Sequence, residues 1–143
     1  MSEAKIVGDM VAWHAEEACG FARDNLNVTL DYAEESVEIV EAILDQLHKS
    51  IPGRGIETKP SFEQFDGYAK MFGGYVGEVM RRKWGGHWKL ENSAIPGQRV
   101  VKLELTQEVA VSPQEKVSRR ILHGAEHNVW LYFQMLKHRL AEG

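Results

Sequence analysis

Residues 61–88 read SFEQFDGYAKMFGGYVGEVMRRKWGGHW. Phe62, Phe65, Ala69, Phe72, Val76 and Val79 recur every three or four positions, which puts them on one face of a long helix. Gly73, Gly74 and Gly77 interrupt that helix. A glycine inside a helix costs about 1 kcal/mol relative to alanine, so such a cluster needs a compensating gain. Close approach of another backbone supplies one. Ser61 stands as N-cap with Gln64 as its capping-box partner. Arg81, Arg82 and Lys83 fill the last turn, where cations favour the helix dipole. Gly85 and Gly86 supply the stop. The stretch predicts a central helix, tightly packed by its neighbours.

After the stop the hydrophobic period changes from the helical to the strand value. In HWKLEN, Trp88 and Leu90 alternate with Lys89 and Glu91; in RVVKLEL, Val101, Leu103 and Leu105 alternate with Val100, Lys102 and Glu104. Ile95-Pro96-Gly97 joins the two as a hairpin, and Glu108–Val111 is a candidate third strand. Ser112-Pro113-Gln114-Glu115 combines a cap, a proline at the first helical position and a box glutamate. That helix breaks near Gly124. A last helix carries Val129, Tyr132, Phe133, Leu136 and Leu140.

Two helices precede the central one. The first covers about residues 3–23, with Val7, Val11, Ala18 and Phe21 on one stripe and Ile6, Met10 and Trp13 on a second. So wide an apolar face predicts contact with more than one neighbour. The second runs from about Tyr32 to His48, with Asp31 as cap, Glu34 at the box position, and Ala33, Val37, Val40, Leu44 and Leu47 as its stripe. Pro52, Gly53 and Gly55 end it, and residues 49–60 form a loop. Helices, hairpin, helices is the order of an α+β fold. The expectation is one domain over residues 1–143, with four or five helices packed on an antiparallel hairpin or three-stranded sheet.

An apolar fraction of 43% and a charged fraction of 27% are those of an ordinary globular protein. No apolar run approaches the roughly 20 residues that span a bilayer. Cys19 is the one cysteine and cannot form an internal disulfide. A reducing cytoplasmic setting is the natural reading. Charge is uneven. Residues 1–50 hold three basic and eleven acidic side chains, a balance of −8; residues 51–143 hold fourteen and ten, a balance of +4. Either the halves neutralise each other or the acidic one serves a basic partner. Nucleic acid is disfavoured as a partner of the acidic half.

Glu34, Glu38, Glu41 and Asp45 follow one another at spacings of four, three and four, with no lysine or arginine alternating. Like charges so placed repel by a few tenths of a kcal/mol each. The ladder is either a solvated face, an intrachain counter-charge or a partner-binding surface. Trp84, beside the basic cluster, is a candidate interface anchor or packs on the hairpin. Glu78, next to Gly77, is a candidate acid or base with Arg82 and His87 near it, or the acidic half of an ion pair with Arg82. His123 and His127 have metal-ligand spacing, but HGAEH is not HExxH and Gly124 separates the rings, so no metal is expected. His14 reads as a core histidine. GGYVG follows no strand and precedes no Gly-Lys-Ser/Thr, so no nucleotide or other cofactor is expected. Cys19 has no activating neighbour.

Gly73, Gly77, Glu78, Gly86 and Trp88 form a Gly-x-x-x-Gly-Glu helix, a glycine stop and a tryptophan opening a strand. Pro113, Lys116, Val117, Arg120, Gly124 and Glu126 form a second run downstream. Over about half the chain this pattern resembles small bacterial domains of unknown function. The resemblance implies a small α+β domain and carries over no catalytic residues. Relatives of that kind are often encoded near polymorphic toxins, which implies an immunity role.

The leading expectation is a non-catalytic protein-binding module, an immunity or antitoxin protein that neutralises a basic toxin through Glu34, Glu38, Glu41, Asp45 and Trp84. One alternative is a ligand-binding or enzymatic domain with a pocket at Glu78, Arg82 and His87. Another is a homo-oligomer, such as a homodimer, whose acidic half meets the basic half of a second copy.

Overall fold

A computed structural model describes residues 2–50 and 62–142. Its central element is the helix of the glycine cluster, α3 (Phe62–Trp84). Every residue from Phe72 to Met80 is buried. The three glycines meet three different neighbours. Gly73 lies against the backbone of Gln114, in the first turn of α4 (Pro113–His123). A side chain at Gly74 would come 3.2 Å from Val11 O and His14 Cβ of α1 (Glu3–Leu26). Gly77 lies under the indole of Trp88, which opens β1 (His87–Asn92). Bare backbone thus lets two helices and a strand close on one rod. Gly85 and Gly86 end α3 at φ values of 86° and 98°, which only glycine adopts freely. The expected cap Ser61 and most of the expected 49–60 loop lie outside the described residues.

β1 pairs antiparallel with β2 (Arg99–Glu104), and β2 with the two-residue β3 (Ala110–Val111), in the order β1-β2-β3. The register sets Trp88 opposite Leu103 and Leu90 opposite Val101 on one face. Lys89, Glu91, Lys102 and Glu104 make a charged lattice on the other. After α4, Gly124 turns the chain into a short 3₁₀ turn (Ala125–His127), and α5 (Val129–Glu142) follows. The described residues hold five α-helices and a three-stranded antiparallel sheet, an α+β fold. None of the helices is long and apolar enough to cross a membrane.

Two helix starts differ from expectation. Ser112 makes no side-chain capping bond, although Pro113 opens α4 as expected. The second helix, α2, spans Ser36–Lys49 rather than starting at Tyr32. Tyr32 has φ 64°, a left-handed conformation that excludes it from a helix. Three contacts hold it there. Its N–H donates to Tyr75 Oη (2.8 Å), its hydroxyl donates to Glu16 (2.5 Å), and the Arg82 guanidinium lies 3.6 Å over its ring. Asp31 therefore caps a local turn, accepting from Ala33 N–H at 3.0 Å, and Glu34 stands just outside the helix.

The glycine packing yields a paired prediction. Alanine at Gly73 would drive a methyl into the Gln114 backbone; Gly73→Ala is expected to lower unfolding free energy by about 2–4 kcal/mol. Gly67, in the same helix, has nothing within 4 Å of a would-be methyl, so Gly67→Ala is expected to stabilise by about 0.5–1 kcal/mol. Urea denaturation of both variants checks the contrast. Equal effects would mean helix propensity, not close approach, governs these sites.

Candidate functional site

The acidic ladder does not form one open face. Glu41 shares its side of α2 with Val37, Val40 and Leu44, and it is buried. Its carboxylate accepts from Arg120 Nε at 2.9–3.0 Å and from Val129 N–H at 2.8 Å. Arg120 is itself buried and donates through Nη2 to Asp45 at 2.8 Å. Asp45 also meets Lys49 at 2.9 Å. Glu34 is held between Lys83 (3.0 Å) and Lys137 (2.9 Å). Of the four, Glu38 is the one exposed and without a side-chain partner among the described residues. The ladder expected to bind a partner is thus mainly an intrachain counter-charge. Apart from Lys49 at the end of α2, its cations come from α3, α4 and α5.

The charges of this cluster are correspondingly fixed. Hydrogen bonds from Lys137 and Lys83 hold the Glu34 carboxyl down at about 2. Lys49, then Arg120, do the same for Asp45, also to about 2.

Glu78 is buried, and both its oxygens are occupied. Arg81 donates Nε to Oε2 at 2.8 Å and Nη2 to Oε1 at 3.0 Å, and the Trp88 indole N–H donates to Oε2 at 3.0 Å. Burial pushes this carboxyl up, but the Arg81 and Trp88 hydrogen bonds outweigh it and leave the net shift downward. The expected ion pair with Arg82 is present at 3.8 Å, longer than that with Arg81, and the Arg82 guanidinium also lies over the Tyr32 ring. His87 is exposed and faces Glu104 across the strand pair at 3.2 Å. Glu78 and His87 both border an open cleft of about 330 Å³, whose arginine is Arg81, not Arg82. Glu78 is thus an ion-paired anion held first by Arg81 and Trp88, with Arg82 farther off and His87 turned to Glu104. Trp84 stacks on Phe133 of α5 (4.7 Å between centroids, 29° between planes). It packs there rather than on the hairpin or free in solvent.

His14 is largely covered. Its Nδ1 is buried without a hydrogen-bond partner, 3.6 Å from Glu17 Oε1. The His123 and His127 rings lie 5.8 Å apart, and among the described residues no group of three or more His, Cys, Asp or Glu side chains is placed to hold a metal. Burial raises the Cys19 thiol above its ordinary value.

Among the exposed apolar side chains, which include Leu131 and Met135 of α5 at 60% and 68%, one set lines up along the second stripe of α1. Ile6, Met10 and Trp13 are 54%, 41% and 60% exposed. They stand at i, i+4 and i+7, in line along the helix surface. Acidic side chains surround them: Glu3 and Glu17 at the two ends, Asp9 and Glu16 along one flank. The expected contact of α1 with more than one neighbour is met by α3 and β1, but this stripe stays exposed. α1 packs against α3 and β1 through Val7, Val11, Ala15 and Ala18, and its outer stripe faces solvent.

No family model, curated protein or solved structure matches the chain.

Two outcomes follow for the charged cluster. Arg120→Met leaves Glu41 with an unpaired buried charge and is expected to cost about 3–5 kcal/mol. The double change Arg120→Met with Glu41→Leu is expected to recover most of that, as read by a double-mutant cycle in urea. The second outcome concerns acid. Glu34 and Asp45 have folded-state values of about 2, against ordinary carboxyl values near 4. Their contribution is present above pH ~4 and is lost as pH falls toward 2. Thermal melting points across that window should decline in the native chain and decline less in Glu34→Gln.

Proposed function

We propose that this chain is a non-catalytic protein-binding module whose docking face is the outer stripe of α1. The carrying observation is the alignment of Ile6, Met10 and Trp13, all exposed, on a helix whose other face is anchored in the core. Exposed tryptophan in a row with aliphatic side chains is the composition of interface anchors. Helix-in-groove recognition reads such residues at this spacing.

The surrounding charge selects the partner. Glu3, Asp9, Glu16 and Glu17 border the stripe; Glu3 pairs with Arg99 and Asp9 with Lys5, while Glu16 and Glu17 meet no lysine or arginine among the described residues. A basic partner with apolar anchors complements that surface. A second copy does not. Antiparallel pairing of α1 with itself about Met10 would set Glu3 against Glu17 at both ends. A basic protein is thus the partner, met by α1 rather than by the acidic ladder. An immunity or antitoxin role toward a basic toxin is the biological form of this reading.

Selection of a displayed random-peptide library on the immobilised chain tests it. Enriched peptides are expected to carry Lys or Arg around bulky apolar residues. Their binding should weaken with salt and fall at least about tenfold on Trp13→Ala. Trp13 is 60% exposed, so that change should leave stability within about 0.5 kcal/mol. No enrichment, an acidic consensus, or indifference to Trp13→Ala would sink the proposal.

A further inference from the structure

The apolar stripe of α1 continues off the helix. Met10 is also a wall of a groove of about 560 Å³ between α1, the first half of α3, the start of α4 and the far arm of the hairpin. The sheet register explains why the groove exists. Trp88 and Leu103 form one inward rung and Leu90 and Val101 the next. The helices bury the first rung but leave the second half-buried. An inward sheet face alternates apolar residues because it is normally covered. Here the cover stops one rung short, and Val101 opens onto the groove beside Ala69 and Met10. Ile95, at the hairpin turn and 58% exposed, overhangs the same space.

The charges on the rim are already satisfied within the chain. Asp66 pairs with Lys70 at 2.9 Å, Arg99 with Glu3 at 2.7 Å and Glu115 with Arg119 at 3.6 Å. A charged guest would have to break one of these pairs, whereas an apolar guest would not. Inside the groove apolar contact is available; outside, along α1, Glu16 and Glu17 meet no lysine or arginine among the described residues. These two demands fit a segment that is apolar at one point and basic around it. The Arg99–Glu3 bridge that ties the hairpin arm to α1 is exposed on both sides and restrains the arm weakly.

We propose that this groove is the anchor pocket of the docking face. It receives bulky uncharged side chains, aliphatic or aromatic, from the same basic segment that lies along Ile6, Met10 and Trp13. The inference rests on the protein-binding reading, and its test separates the two. The probe is a synthetic amphipathic helix of lysine, leucine and one tryptophan, about four turns long. It is titrated into the chain while NMR follows the Trp13 indole and the methyl groups of Met10, Ala69 and Val101. All four signals should shift along one binding curve. Val101→Thr keeps the side-chain shape but places a hydroxyl in the groove, and should weaken the probe about threefold to tenfold. It should not abolish the Trp13 shift at saturation. A Trp13 shift with stationary Ala69 and Val101 methyls would overturn the groove and leave the docking face standing. No shift at Trp13 would overturn both.

Discussion

Backbone contact at α3 is the constraint from which the rest of the molecule follows. Gly73 admits the first turn of α4, Gly74 admits α1, and Gly77 admits the Trp88 ring. At Gly73 and Gly77 the approach is closer than a side chain allows and at Gly74 it is tight, and interhelical spacing depends on the residues at the contact. Once three elements are held that near, the orientation of the sheet is no longer free. Trp88 sits over Gly77 and donates its indole N–H to Glu78. That single bond joins the sheet to the rod and gives the buried carboxylate part of its solvation. Arg81 completes it. A residue that looks catalytic in isolation is thereby committed to architecture.

A second, polar layer lies on the other side of the molecule. Glu34, just before α2, and Glu41 and Asp45 on it, are met by Lys83 of α3, Arg120 of α4 and Lys137 of α5. Burying such a group is costly unless it is paired and hydrogen-bonded. Glu41 meets that requirement with both the Arg120 guanidinium and the first N–H of α5. Part of the charge asymmetry between the two halves of the chain is consumed internally in this way, by Lys83, Arg120 and Lys137. Around α1, the acidic side chains border apolar surface instead.

Much of the fold was legible in the sequence because period and punctuation agreed. The Phe62–Trp84 helix, its glycine stop, the alternating strands and the Pro113 start all carry local signals, and the structure has each of them. The start of α2 was not legible. Asp31 and Glu34 form a sound capping pattern, but Tyr32 is held left-handed by Tyr75, Glu16 and Arg82, which are distant in sequence. The buried ion pair left a trace that a ladder reading overlooks. Glu41 falls on the Val37–Leu44 stripe, and Arg120 falls on the Pro113–Val117–Ile121 stripe. A lone charge on an apolar stripe, with its opposite on another, predicts that the two meet. The α1 surface had the reverse problem. Its second stripe was visible, but whether a neighbour covers it is a tertiary question.

The Glu41 cluster also has a kinetic consequence. Glu41 and Arg120 are 79 residues apart, Glu41 and Val129 are 88, and Glu34 and Lys137 are 103. Contacts of such sequence separation form late, because loop closure precedes any reward. During synthesis Glu41 emerges long before Arg120 and Val129 and stays hydrated until the last quarter of the chain arrives. The C-terminal helix is then the latch of the folding sequence: only its docking, together with α4, removes that charge from water.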